Sequence, residues 1–125
     1  MMKEKITTAK APSAPGLLSR AIVSNDLIYV AGQIHSTADG VVIQGSVEEK
    51  THQVIKNIVA ILEKAGVDLA HVVKVTVYVT DISDLPVLND VYKTYFSEPL
   101  PAREAVCVKA LPLGASIEMS VVAHI

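Results

Sequence analysis

The longest periodic apolar pattern in the chain lies between Ser46 and Gly66. Val47, Thr51, Val54, Ile55, Ile58, Ile61, Leu62 and Ala65 recur at intervals of three and four residues, which puts them on one stripe of a helix over 46–65. Ser46 and Glu49 have the spacing of a capping box, in which each side chain satisfies an orphan N–H at the helix start. Lys64 suits the negative end of the helix dipole, and Gly66 suits the left-handed position beyond it. Elsewhere the period is two. Residues 72–79 alternate around Lys74 and Thr76 and are dense in β-branched residues, so they form a strand. Apolar runs at 21–24 and 27–31 flank a turn at Asn25-Asp26. A loop follows from His35 to Gly45, with a short extended piece at Val41 to Ile43.

Asp81 to Asp84 offers caps for a second helix that tolerates Pro86 in its first turn and whose apolar face is Leu85, Leu88, Tyr92, Tyr95 and Phe96. Past Pro99-Leu100-Pro101, two more strands are expected over 103–110 and 116–125, joined by residues 111–115. Residues 1–20, broken by Pro12, Pro15 and Gly16, read as an irregular lead-in. The order β-β-α-β-α-β-β predicts one α+β domain over 1–125, a single mixed sheet with two helices packed on one face.

Alternation in the last strand sends Ile117, Met119, Val121, Ala123 and Ile125 one way, toward the helices, and Ser116, Glu118, Ser120, Val122 and His124 the other. In the preceding strand Val106, Val108 and Ala110 share a face, opposite Arg103, Ala105, Cys107 and Lys109. Pairing of these two strands would bring Arg103 and Glu118 out together on the side away from the helices. That side needs a cover, and a second subunit would turn the charged pair into the floor of an intersubunit crevice.

Composition narrows the class. Half of the 125 residues are hydrophobic, and the mean hydropathy is +0.41, yet no run approaches the roughly 18 apolar residues of a membrane span. Burial by oligomerisation is the simplest outlet for that apolar excess. The start of the chain, MMKEKITTAK, has no apolar stretch of a secretory signal, and the single Cys107 rules out an intramolecular disulfide. Both features suit a cytoplasmic location. A net charge of −2, 4% aromatics and no Trp give nucleic acid no footprint. No glycine-rich phosphate loop or metal-ligand spacing occurs, so neither cofactor nor metal is expected; the four histidines, at 35, 52, 71 and 124, read as surface residues.

Pro101-Ala102-Arg103, then Val106-x-Val108, then Leu111-Pro112-x-Gly114-Ala115-x-Ile117-Glu118 resembles the C-terminal signature of the RidA/YjgF family, also known as the L-PSP endoribonuclease-like family. Gly32-Gln33-Ile34, Asn57-Ile58, Leu62-Glu63-x-Ala65-Gly66, Val72-Val73-Lys74-x-Thr76-Val77 and Asn89-x-Val91-Tyr92 agree with it, over about residues 11–123. The resemblance implies a homotrimer of chorismate-mutase-like subunits with sites between neighbours. It also implies cofactor-free hydrolysis of 2-imino acids, or their enamine tautomers, to 2-keto acids and ammonia, as in 2-iminobutanoate/2-iminopropanoate deaminases.

Under that resemblance Arg103 clamps the substrate carboxylate, for which a bidentate guanidinium is well shaped. Glu118 positions or activates the attacking water. Ala105 offers a backbone N–H where many relatives carry cysteine, Gly32 and Ala31 belong to the pocket, and Asn89 matches a pocket asparagine. The bland alternatives are an Arg103–Glu118 structural ion pair and a polar helix-surface Asn89. Cys107 reads as a buried small hydrophobe. Residues 16–21 depart from the family's Gly-Pro-Tyr-Ser-Gln-Ala: Leu18 replaces a tyrosine and Arg20 a glutamine, while Ala31 stands where deaminating members often have serine. Such walls suit a bulkier or more apolar substrate side chain, or a weaker deaminase. Two other functions stay open: a non-catalytic binding module for keto acids or other small carboxylates, and an endoribonuclease, which the acidic balance disfavours.

Overall fold

The structure, a computed structural model, describes residues 3–125; Met1 and Met2 of the lead-in lie outside the described residues. Six strands form one mixed sheet in the order β1-β2-β3-β6-β4-β5. They are β1 (Glu4–Ile6), β2 (Ala21–Ser24), β3 (Leu27–Ile34), β4 (Val72–Val79), β5 (Ala102–Cys107) and β6 (Ile117–His124). Helices α1 (Val47–Lys64) and α2 (Leu85–Tyr92) pack against each other and one face of the sheet. The α+β architecture with two helices on one face is as expected.

Helix α1 forms as its sequence dictates. The Ser46–Glu49 capping box is present in both directions, and Gly66 takes φ +83° beyond the last turn. Thr51, Val54, Ile55, Ile58, Ile61 and Leu62 are buried on its inner stripe. They meet Ile28 and Val30 of β3, Val75, Val77 and Val79 of β4, and Ile117, Met119, Val121 and Ala123 of β6. Since Ser46 satisfies an otherwise orphan N–H, Ser46→Ala is expected to cost about 1 kcal/mol, read as a lower denaturation midpoint at unchanged slope.

Five expectations need correction. The lead-in is not wholly irregular, because Glu4–Ile6 adds an antiparallel edge strand to β2. Tyr95 and Phe96 lie beyond α2, though both pack partly buried against the core and Phe96 stacks on Tyr92. Strand β5 ends at Cys107, short of 110, and Cys107 is exposed.

The fifth concerns pairing. β5 and β6 are not neighbours: β5 returns from β4 through α2 and pairs with it in parallel, at the sheet edge. β6 inserts between β3 and β4, antiparallel to both. In the parallel register Arg103 lies beside Val75 and Ala105 beside Val77, both buried on the helix face. Glu118 lies beside Tyr78 on the opposite face. Arg103 and Glu118 of one chain therefore point to opposite sides of the sheet. The crossover through α2 returns β5 in parallel on β4, and β6, paired with β3 on one edge and β4 on the other, has no edge left for β5.

Candidate functional site

The candidate residues fall into two groups, one on each side of the sheet. On the helix side, α2 and β5 hold the Arg103 guanidinium between them. Its Nη2 donates to Asn89 Oδ1 at 2.6 Å, and its Cζ sits 4.5 Å from the Tyr92 ring centroid. The aromatic face and the amide together fix the plane of the fork. Among the described residues no carboxylate lies within ion-pair distance of it. It lines an open cleft of about 550 Å³ together with Pro86, Asn89, Tyr92, Leu100 and Pro101. Asn89 is thus the partner of Arg103 and not an uninvolved surface residue.

Ala105 stands two residues along the same strand. Val108 N–H donates to Val79 O at 2.8 Å. With period-two alternation, the N–H groups of Val106 and Glu104 also turn to β4, and that of Ala105 turns to the free edge. A guanidinium and an edge N–H from one strand form a pair of donors suited to a carboxylate.

On the other face, Glu118 emerges where β3 is irregular. The β3–β6 register shifts between Val30 and Gln33, so Ala31 and Gly32 form a bulge opposite Ser120 of β6, two residues beyond Glu118. Gly32 is needed for contact: a Cβ there would overlap Glu118 Oε2 and come within 2.9 Å of Cδ. The carboxylate therefore lies against bare backbone. Burial pushes the Glu118 carboxyl above the ordinary glutamate range. Gly32→Ala is expected to displace the carboxylate, read as a changed Glu118 titration by carbon-13 NMR.

Leu18 joins neither group. It is exposed and lines a separate open cleft of about 730 Å³ with Lys5, Arg20 and Ile22. Arg20 is partly committed to structure, its Nε donating to Ala11 O at 3.0 Å.

Two residues gain roles that periodicity could not assign. Tyr92, expected only as part of an apolar helix face, carries the Arg103 guanidinium on its ring. His35, expected at the surface, is buried with both ring nitrogens engaged by backbone. The only sequence signal for His35 was its place directly after Gly32-Gln33-Ile34. Among the described residues no cluster of three or more His, Cys, Asp or Glu is placed to hold a metal, and no helix is long and apolar enough to cross a membrane.

The chain is similar to known proteins along nearly its whole length. Residues 8–125 match the family model described as Endoribonuclease L-PSP. A RutC family protein of Pyrococcus abyssi is 48% identical over 125 residues, covering 99% of this chain and 98% of that protein. The 2-iminobutanoate/2-iminopropanoate deaminase of Rattus norvegicus is 44% identical over 124 residues, covering 98% of this chain and 90% of that one. The crystal structure of RidA from the Antarctic bacterium Psychrobacter superposes with a TM-score of 0.92 at 40% identity, covering 98% of this chain and 99% of its own.

Proposed function

The chain belongs to the Endoribonuclease L-PSP family, the RidA/YjgF family, and from that premise we propose that it hydrolyses reactive 2-imino acids and their enamine tautomers to 2-keto acids and ammonia. The observation that carries the reading is the survival of both chemical halves of such a site. One is a guanidinium held by Asn89 and Tyr92 without a carboxylate partner; the other is a Glu118 carboxylate seated against Gly32.

The two halves lie on opposite faces of one sheet, so a single subunit does not present both to one substrate. A homotrimer whose interface sets the β5 edge of one subunit against the Gly32–Glu118 bulge of the next supplies the missing proximity. The helix-free face also invites a cover: it carries Tyr29 and Val106, at 47% and 40% exposed, beside Lys74 and Glu104. Sedimentation is expected to give a trimer at all accessible concentrations. A concentration-independent monomer would remove the composite site.

In that site Arg103 and the Ala105 N–H hold the substrate carboxylate and set C2 of the imine over Glu118 of the neighbouring subunit. Water adds to C2 as Glu118 takes its proton, giving a tetrahedral amino alcohol. With the imine nitrogen protonated at the outset, Glu118 then gives that proton to the amino nitrogen and takes the hydroxyl proton as the C–N bond breaks, so that ammonia leaves, the hydroxyl becomes the keto oxygen, and the last proton passes from Glu118 to the released ammonia. A carboxyl displaced upward by burial is a stronger base than an ordinary glutamate and a competent acid on the return step. This chemistry needs no metal or organic cofactor.

The test generates 2-iminopropanoate and longer homologues in situ and compares their decay with and without the protein. Acceleration supports the reading; decay at the buffer rate, with keto-acid binding intact, leaves a binding module. Ala31, in the bulge beside Gly32, further predicts a kcat/KM ratio favouring longer apolar side chains. Ala31→Ser should shift that ratio toward 2-iminopropanoate.

A further inference from the structure

His35 stands just past the end of β3 and is 1% exposed. Its Nδ1 lies 2.9 Å from Ile43 O, and its Nε2 lies 2.9 Å from Ser116 N. A carbonyl only accepts, so Nδ1 carries the proton; a backbone N–H only donates, so Nε2 is bare. The ring is thus the neutral Nδ1–H tautomer, bridging the loop at Ile43 to the residue before β6. Ser116 is two residues from Glu118, and Glu118 pairs in register with Ile34, the neighbour of His35. Buried Asn57 of α1 holds the same corner, its Nδ2 donating to Ser36 O at 2.8 Å.

We propose that His35 is a positioning residue for Glu118: the neutral imidazole pins the start of β6 through Ser116, and its protonation releases that strand end from the bulge at Gly32. The proposal rests on the hydrolytic reading for its kinetic consequence only. A proton on Nε2 replaces the acceptor with a second donor facing Ser116 N–H, so this contact cannot survive in the cation.

The surrounding charges agree. From α1, Lys50 donates its ammonium to Ser116 Oγ at 3.0 Å and disfavours a second cation nearby. Lys50 is the charged side chain that acts on His35, while Glu118 of β6 stands beside Ile34, its partner in register. Burial foremost, with Lys50 assisting, holds His35 below its ordinary range, while burial holds Glu118 above its own. The two groups are thus shifted in opposite directions, His35 down and Glu118 up.

The experiment compares wild type, H35Q and H35L. Glutamine keeps an acceptor for Ser116 N–H and cannot titrate; leucine removes the acceptor. The expected acid limb of log kcat/KM has a slope approaching two in wild type and one in H35Q, which retains most of its kcat at neutral pH. H35L should lose about tenfold or more in kcat with keto-acid affinity nearly unchanged, since a displaced catalytic group costs rate before binding. Equal slopes in wild type and H35Q, or full kcat in H35L, would overturn the proposal. If H35L does not fold, the H35Q slope decides alone. Carbon-13 NMR of the Glu118 carboxyl gives a readout independent of turnover. Wild type should show a second inflection that H35Q lacks, whether or not imines are substrates, and its absence from wild type would overturn the proposal while leaving the hydrolytic reading intact.

Discussion

Arg103→Ala is expected to lower kcat/KM for 2-imino acids by roughly ten- to a few hundredfold and to weaken keto-acid binding in parallel. The magnitude follows from a charge-assisted contact worth about 1.5–3 kcal/mol. Direction and breadth follow from its surroundings: the guanidinium already has one hydrogen bond to Asn89 and an aromatic ring beneath it. Little of its conformational freedom is then left to lose on binding substrate. Arg103→Lys should recover only part of the loss, because an ammonium keeps the charge but cannot form the planar fork. Asn89→Ala should produce a milder version of the same defect, raising KM with little change in kcat. Wild-type affinity for keto acids in Arg103→Ala, measured by calorimetry, would show that the carboxylate binds elsewhere.

That prediction turns on a placement that the sequence made only half legible. Helix α1 was readable to its caps because one residue after another obeys a local rule: a capping pair, a 3.6-residue stripe, a glycine beyond the end. The alternation of β6 was equally plain, and its inner residues from Ile117 to Ala123 are the buried ones, while Ile125, beyond the strand end, is exposed. What alternation cannot reveal is which strand lies beside which. Arg103 looked like a partner of Glu118 because β5 and β6 are consecutive; the crossover through α2 sends β5 to the far side of β4 instead. Inverting the faces of β5 required only that Val75 and Val77 be its neighbours. His35 was illegible for a different reason. A single polar residue among loop residues has no period, and its burial is created by Ile43 and Ser116, the latter 81 positions away. The same inversion strengthens the case for an intersubunit site, since a face-sharing pair within one chain was open to a purely structural ion-pair explanation.

Glu118→Gln carries the largest expected effect, a fall in kcat of about 10²- to 10⁴-fold with keto-acid affinity close to wild type. The amide preserves shape and can still lie against Gly32, but it cannot accept the proton of the attacking water. Stability separates this reading from the structural one. Burial raises the folded-state pKa of Glu118 above its ordinary value of 4.5. A group raised in this way stabilises the fold fully only below its unfolded pKa, and the contribution is lost as pH rises through the folded value. At neutral pH the ionised carboxylate is therefore a burden on the fold, and a neutral amide relieves it. Glu118→Gln should melt higher than wild type near pH 7, with the difference vanishing as pH falls below the ordinary glutamate range. An ion pair with Arg103 predicts the opposite: both Glu118→Gln and Arg103→Ala would melt lower, and a double-mutant cycle would show coupling. Melting temperature, keto-acid affinity and imine hydrolysis measured on the three variants distinguish the outcomes. Coupled loss of stability at unaltered specific activity would remove Glu118 from the chemistry, whereas a more stable, inactive Glu118→Gln would identify a carboxylate kept in place at the expense of the fold.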